Sequence, residues 1–105
     1  MIIYSVTVSI DSAVEREWLD WMQRGHVPDV VQTGCFSECR VHKVVEAEAG
    51  EPTYVLQYRC VSIAEYHRYR DNFAPALQKD HTDRFAGRFR ASRQLLEAAA
   101  GAHDR

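Results

Sequence analysis

The chain has 105 residues, 46% hydrophobic and 27% charged, with a formal charge of −2 and a pI near 6.2. This is the composition of one folded domain with a single core, and it excludes an extended disordered chain. The slightly acidic balance also argues against nucleic-acid or membrane-surface partners, because phosphates need a basic excess or a basic face. Arg84, Arg88, Arg90 and Arg93 cluster late in the chain and read as a solvated rim.

Met1 to Ile10 alternates, with Ile2, Tyr4, Val6, Val8 and Ile10 on one face and Ile3, Ser5, Thr7 and Ser9 on the other, which is the pattern of a half-buried strand. Ser12-Ala-Val-Glu15 then has the spacing of a capping box, so a first helix is expected to start there. Val14, Trp18, Trp21, Met22 and Gly25 follow helical spacing on one side. Gly25 suits a C-terminal cap and Pro28 suits the first turn of a new helix, which places His26 at an expected helix break. A short helix from Pro28 to Gln32 should end at Thr33-Gly34.

Cys35 to Val45 is β-like, with Phe36, Glu38, Arg40, His42 and Val44 on one side and Ser37, Cys39, Val41, Lys43 and Val45 on the other. A loop from Glu46 to Pro52, including Ala49-Gly50, leads to a hairpin partner over Thr53 to Cys60. There Tyr54, Leu56, Tyr58 and Cys60 alternate with Val55, Gln57 and Arg59. A second capping box, Ser62-Ile-Ala-Glu65, opens another helical stretch in which Ile63, Tyr66, Tyr69, Phe73, Leu77 and His81 share a face. Pro75 should kink or split this helix near Asn72, and Gly87 should close it. The last strand, Arg88 to Leu96, sets Phe89, Ala91, Arg93 and Leu95 against Arg90, Ser92, Gln94 and Leu96.

The order is strand, helix, strand, strand, helix, strand. It predicts an α+β, ferredoxin-like βαββαβ domain over residues 1–97, with a four-stranded antiparallel sheet carrying both helices on one face. Residues 98–105 read as a flexible C-terminal tail. The uncovered sheet face, with Ile3, Val55 and Leu96 beside Ser5, Thr7, Gln57 and Arg59, suits a partly polar cavity or an interface, and self-association is the preferred solution.

Cys35, Cys39 and Cys60 form no C-x-x-C pair and leave an odd cysteine, which is no disulfide framework and fits a reducing, cytoplasmic setting. On one strand, Cys35 and Cys39 would stand about 13 Å apart, too far for a bond or a shared metal. The chain opens on a strand pattern without a charged leader and holds no long apolar run, so neither export nor membrane spanning is expected.

The segments MIIYSVTVSID, WLDWMQRGHVPDVV, TYVLQYRC and DRFAGRF with ASRQLLE together resemble a family of short bacterial proteins catalogued as a domain of unknown function, over nearly the whole length. The resemblance implies a dimeric α/β barrel, in which two ferredoxin-like subunits join sheet to sheet around a central space. Barrels of this kind include EthD-like proteins, antibiotic-biosynthesis monooxygenases, muconolactone isomerases and haem-degrading enzymes. Trp18, Trp21 and His26-Val27-Pro28 look most like the EthD-like pattern, where an aromatic helix runs into a His-x-Pro segment. The likeness carries His26 over as a pocket residue without a reaction, since barrel chemistry varies widely on one fold. The asparagine, histidine and tryptophan set of the haem-degrading group has no clear counterpart, and no cofactor is expected.

His26 is the candidate catalytic residue. At the expected end of the first helix, the helix dipole would favour its cationic form and keep its titration near neutrality, suited to proton transfer. The plainer role is a histidine that satisfies helix-end carbonyls. His81 falls on the inner face of the second helical stretch, and Asp83 or Asp29 is the expected partner to orient a histidine as an acid–base pair. No compact ligand spacing supports a metal, and none is expected. Trp18, Trp21, His81, Gln57 and Arg59 are the candidate ligand-binding residues, although an aromatic stripe at helical spacing is commonly core. His42, His67 and His103 read as surface residues.

No G-x-S-x-G, cysteine–histidine pair or phosphate loop is present, which leaves covalent catalysis and nucleotide binding without a motif. RNA-recognition modules share this strand order, but TYVLQYRC lacks the glycine and paired aromatics of their third strand. Two readings follow. In one, a homodimeric barrel binds a small apolar or aromatic metabolite and His26 performs cofactor-independent acid–base chemistry. In the other, the dimer is a non-catalytic binding or assembly module with a structural His26.

Overall fold

A period of two sends alternate side chains to one face. In the computed structural model, which describes residues 1–48 and 50–101, Ile2, Tyr4, Val6, Val8 and Ile10 of β1 (Ile2–Ile10) are accordingly all buried. The sheet is completed by β2 (Glu38–Lys43), β3 (Thr53–Cys60) and β4 (Phe89–Glu97), in the order β2-β3-β1-β4 with every pairing antiparallel. The register sets Tyr4 between Tyr58 and Leu95, and Val8 between Tyr54 and Ala91. One sheet face is therefore a largely apolar floor, interrupted by Arg93 opposite Val6.

Four α-helices lie over that floor: α1 (Glu15–Trp21), α2 (Val27–Gln32), α3 (Ile63–Asn72) and α4 (Ala74–Phe85). Trp18, Met22, Val30, Tyr69 and Phe85 from the helical segments join the inward strand residues in one core. The chain is thus α+β with the ferredoxin-like order, its helices on one face of a four-stranded antiparallel sheet. β3 has the expected bounds. The split before Pro75 falls at Phe73, and Gly34 and Gly87 close helical segments with φ of +83° and +74°, a region glycine enters without steric cost.

Several local expectations are corrected. Ser12 does not cap the first helix; Asp11 accepts from the Ala13 N–H at 2.9 Å, and Ser12–Val14 form a 3₁₀ turn. An ionised carboxylate one residue earlier is the stronger acceptor. Glu15 instead receives Lys43 at 2.8 Å and the Tyr54 hydroxyl at 2.6 Å, which together hold its carboxyl below the usual range. The second box is half formed: Ser62 accepts from the Glu65 N–H at 3.3 Å, while the Glu65 carboxylate turns to Arg68. Ile63, in the first turn of α3, is 43% exposed rather than inward.

The second strand is shorter than its β-like run. Cys35 and Phe36 are buried before it begins, Phe36 packing edge-on against Tyr69 at 4.9 Å and stacking on Tyr4 at 6.0 Å. Cys35, Cys39 and Cys60 are free thiols, and burial pushes Cys39 up to about 11. His42 and His67 are exposed, as expected. His103 and the rest of 102–105, the end of the expected tail, and Ala49 of the expected turn lie outside the described residues. Among the described residues, no helix is long and apolar enough to cross a membrane.

Candidate functional site

The expected break at Gly25-His26 is not a break. Gly25 does not adopt positive φ, and the helix runs on through a π-helical turn, Met22–His26, into α2. Pro28 supplies the reason: in an unbroken α-helix its ring would crowd the Arg24 carbonyl four residues back. Widening relieves that contact, and the Val27 N–H reaches the Met22 carbonyl five residues back.

The widening also decides where His26 points. At 3.6 residues per turn, positions 21 and 26 would lie about 140° apart around a helix. In the π-turn they come into line, and the His26 imidazole stacks on Trp21 with ring centroids 5.2 Å apart and an interplanar angle of 22°. His81, carried inward on α4, completes the group at 5.8 Å from His26 and 5.9 Å from Trp21.

Trp18 is fully buried and donates its indole N–H to His81 Nε2 at 2.9 Å. An indole nitrogen only donates, so His81 Nε2 must be unprotonated and its ring proton sits on Nδ1. Burial, with the nearby His26 and Arg93, pushes His81 down to about 4. His26 is also pushed down, chiefly by burial, against the opposing pull of Asp29 and Asp80. The dipole argument for a cationic His26 fails because no helix ends there. Both imidazoles are neutral at pH 7.

Between the helices and the sheet floor, the His26 and His81 rings border a cavity of about 40 Å³. His26, His81, Tyr4, Gln78 and Arg93 provide its polar lining, and Tyr69 and Met22 part of its apolar wall. The structure thus gathers His26, Trp21, His81 and, through its hydrogen bond, Trp18. It separates Gln57 and Arg59, which lie across the sheet beside Ile3, Arg40 and His42. Neither Asp29 nor Asp83 forms a hydrogen bond with a histidine; Asp83 pairs with Lys79. Among the described residues, no group of three His, Cys, Asp or Glu side chains is placed to hold a metal.

Arg93 and Gln78 are cavity residues that sequence reasoning passed over. The signal for Arg93 was present: a guanidinium at an inward position of β4, in step with Phe89 and Ala91.

A family described as a domain of unknown function, DUF4286, matches residues 1–99. No curated protein sequence matches the chain. Among solved structures, a dimeric ferredoxin-like protein from an uncultured marine organism superposes with a TM-score of 0.77 at 8% identity, covering 96% of this chain and 97% of that one. An Arabidopsis thaliana protein gives 0.72 at 12%, covering 98% and 100%. An EthD family protein from Bacillus halodurans gives 0.66 at 12%, covering 93% and 99%. At these identities the likeness is one of fold, and it assigns nothing to the His26-Val27-Pro28 segment.

Proposed function

The chain belongs to the DUF4286 family, and from that premise we propose that it is a homodimeric α/β barrel whose cavity binds a small apolar or aromatic molecule, on which His26 performs cofactor-independent acid–base chemistry. The observation that carries this reading is the placement of His26 on the cavity wall, neutral and stacked on Trp21. A neutral imidazole takes a proton from a bound carbon or oxygen acid, and the resulting imidazolium returns it: to another carbon in isomerisation, to the departing hydroxyl in dehydration, or to the carbonyl oxygen in cyclisation.

The test screens small aromatic acids, quinones and phenols by thermal shift against wild type and His26→Ala. A stabilising ligand that loses its effect in the variant supports the reading, and turnover of that ligand should then fall about 10²–10⁴-fold in the variant. One observation favours the alternative of a non-catalytic module: the cavity, about 40 Å³, has room for only a few water molecules. No stabilising ligand, together with a His26→Ala protein that is itself less stable, would leave His26 a structural role.

Dimerisation is supported by the bare outer sheet face, where Ile3, Val55 and Leu96 are half-buried with no helix above them, and by the dimeric ferredoxin-like neighbours. Val55 stands between Thr7 and His42 near the middle of that face. Wild type is expected to sediment as a dimer at micromolar concentration. Val55→Lys should weaken the dimer at least about tenfold, since it buries an unpaired charge between Thr7 and His42 at the interface. A dimer unaffected by Val55→Lys would rule out the sheet face as the interface.

A further inference from the structure

Three of the four late arginines have acids. Arg84 meets Glu17 at 3.5 Å, Arg88 meets Asp11 at 2.8 Å and Arg90 meets Glu51 at 2.7 Å. Arg93 has no ion-pair partner among the described residues. Strand alternation explains the difference: with Phe89 and Ala91 packed toward the core, Arg93 follows them to the inner side and lines the cavity. It remains exposed, so it stands at the mouth. Its positive charge adds to the burial that pushes His26 and His81 down, and it opposes the burial that pushes Tyr4 and Tyr69 up.

Among the described residues, no aspartate or glutamate lines this cavity. Asp29 and Asp80 act on His26 from outside it. His81 cannot accept a further hydrogen bond, because Trp18 occupies Nε2, and its Nδ1–H has no protein partner among the described residues. That nitrogen is not sealed in the core, since no fully buried side-chain nitrogen or oxygen there lacks a partner. The cavity therefore combines a guanidinium with no acidic partner, a fixed imidazole donor, an amide and tyrosine hydroxyls, of which that of Tyr4 lies within reach of Arg93 and Gln78, and no carboxylate among the described residues lines it. Such a surface is complementary to negative charge.

We propose that the ligand of this cavity is a small organic anion, a carboxylate or phenolate on an apolar body, whose oxygen is received by the Arg93 guanidinium and the Nδ1–H of His81. The proposal rests on the reading of the cavity as a ligand site and names its ligand class. It also divides the labour: Arg93 and His81 bind and orient the charged oxygen, which leaves His26 free to take a proton from the part of the molecule that reaches it.

The test follows the imidazole proton signals of His26 and His81 by NMR while benzoate, or its neutral isostere benzamide, is added at pH 7 to the full chain. Benzoate is expected to shift both sets of signals at concentrations at least about tenfold below those benzamide needs, as for one charge-assisted contact. Arg93→Gln should weaken benzoate by a similar factor and leave benzamide unchanged, while Arg93→Lys keeps part of the preference. Equal binding of benzamide and benzoate, or an Arg93→Gln protein that binds benzoate as wild type does, overturns the anion assignment and leaves the ligand site standing. If neither probe shifts either imidazole, the anion assignment and the ligand site fall together.

Discussion

Trp18→Ala is expected to lower the unfolding free energy by about 3 to 5 kcal/mol. The side chain is fully buried, its ring 5.0 Å from that of Tyr54, and its loss opens a hole between α1 and the sheet. For a domain of this size, with total stability on the order of 5 to 15 kcal/mol, that is a large share. Part of the loss is not packing. The substitution leaves His81 Nε2 without its donor, and an unsatisfied buried acceptor costs about 1 to 3 kcal/mol. Trp18→Phe keeps most of the ring and loses the N–H, so it should cost a sum near that smaller figure. Urea unfolding of both variants separates the two contributions. A loss below about 1 kcal/mol for Trp18→Ala would show that the residue is not core, and would restore it as a candidate ligand contact.

Stability should also fall by on the order of 3 kcal/mol between about pH 6.5 and pH 4 on account of His81 alone. In the unfolded chain this histidine protonates around its ordinary 6.5, whereas in the folded protein it stays neutral down to about 4. Between those values the unfolded state binds the extra proton, so acid favours unfolding. The contribution is complete above 6.5, shrinks as pH falls, and is gone below the folded value. His26, also pushed down by burial, acts in the same direction. Asp11, Glu15 and Asp71, whose carboxyls are held low, lose stability at more acid pH. His81→Gln isolates the effect, because glutamine can still accept from the Trp18 N–H but does not titrate. Urea midpoints at pH 7 and pH 4.5 should draw closer together in the variant. An unchanged gap would mean that His81 is not held neutral by the fold.

Trp18 was legible as core, and the helix placing His81 inward was legible too. The bond between them joins residues 63 positions apart and could not be read from either helix alone. Arg93 was read with the solvated rim alongside Arg88 and Arg90, which form ion pairs there; it is exposed as expected, but it also lines the cavity. Its position on the inward register of β4 carried the correct signal. Gln57 and Arg59 were grouped with the aromatic helix although β3 alternation turns them to the other face. The faces themselves were assigned correctly, and they already set Gln57 and Arg59 apart from the helices.

What this sequence determined by itself is periodic and local: the faces of β1 and β3, the split before Pro75, the glycine stops at Gly34 and Gly87, and from these the βαββαβ order. Each follows from the backbone geometry of a few consecutive residues. The tertiary structure decided the rest. The Gly25-Pro28 segment can end a helix or widen it, and the core decides between them, since widening keeps Met22 and Val30 buried on one continuous face. From that one choice follow the stacking of His26 on Trp21, the neutral pair it makes with His81, and the cavity that Arg93 faces without a counter-charge.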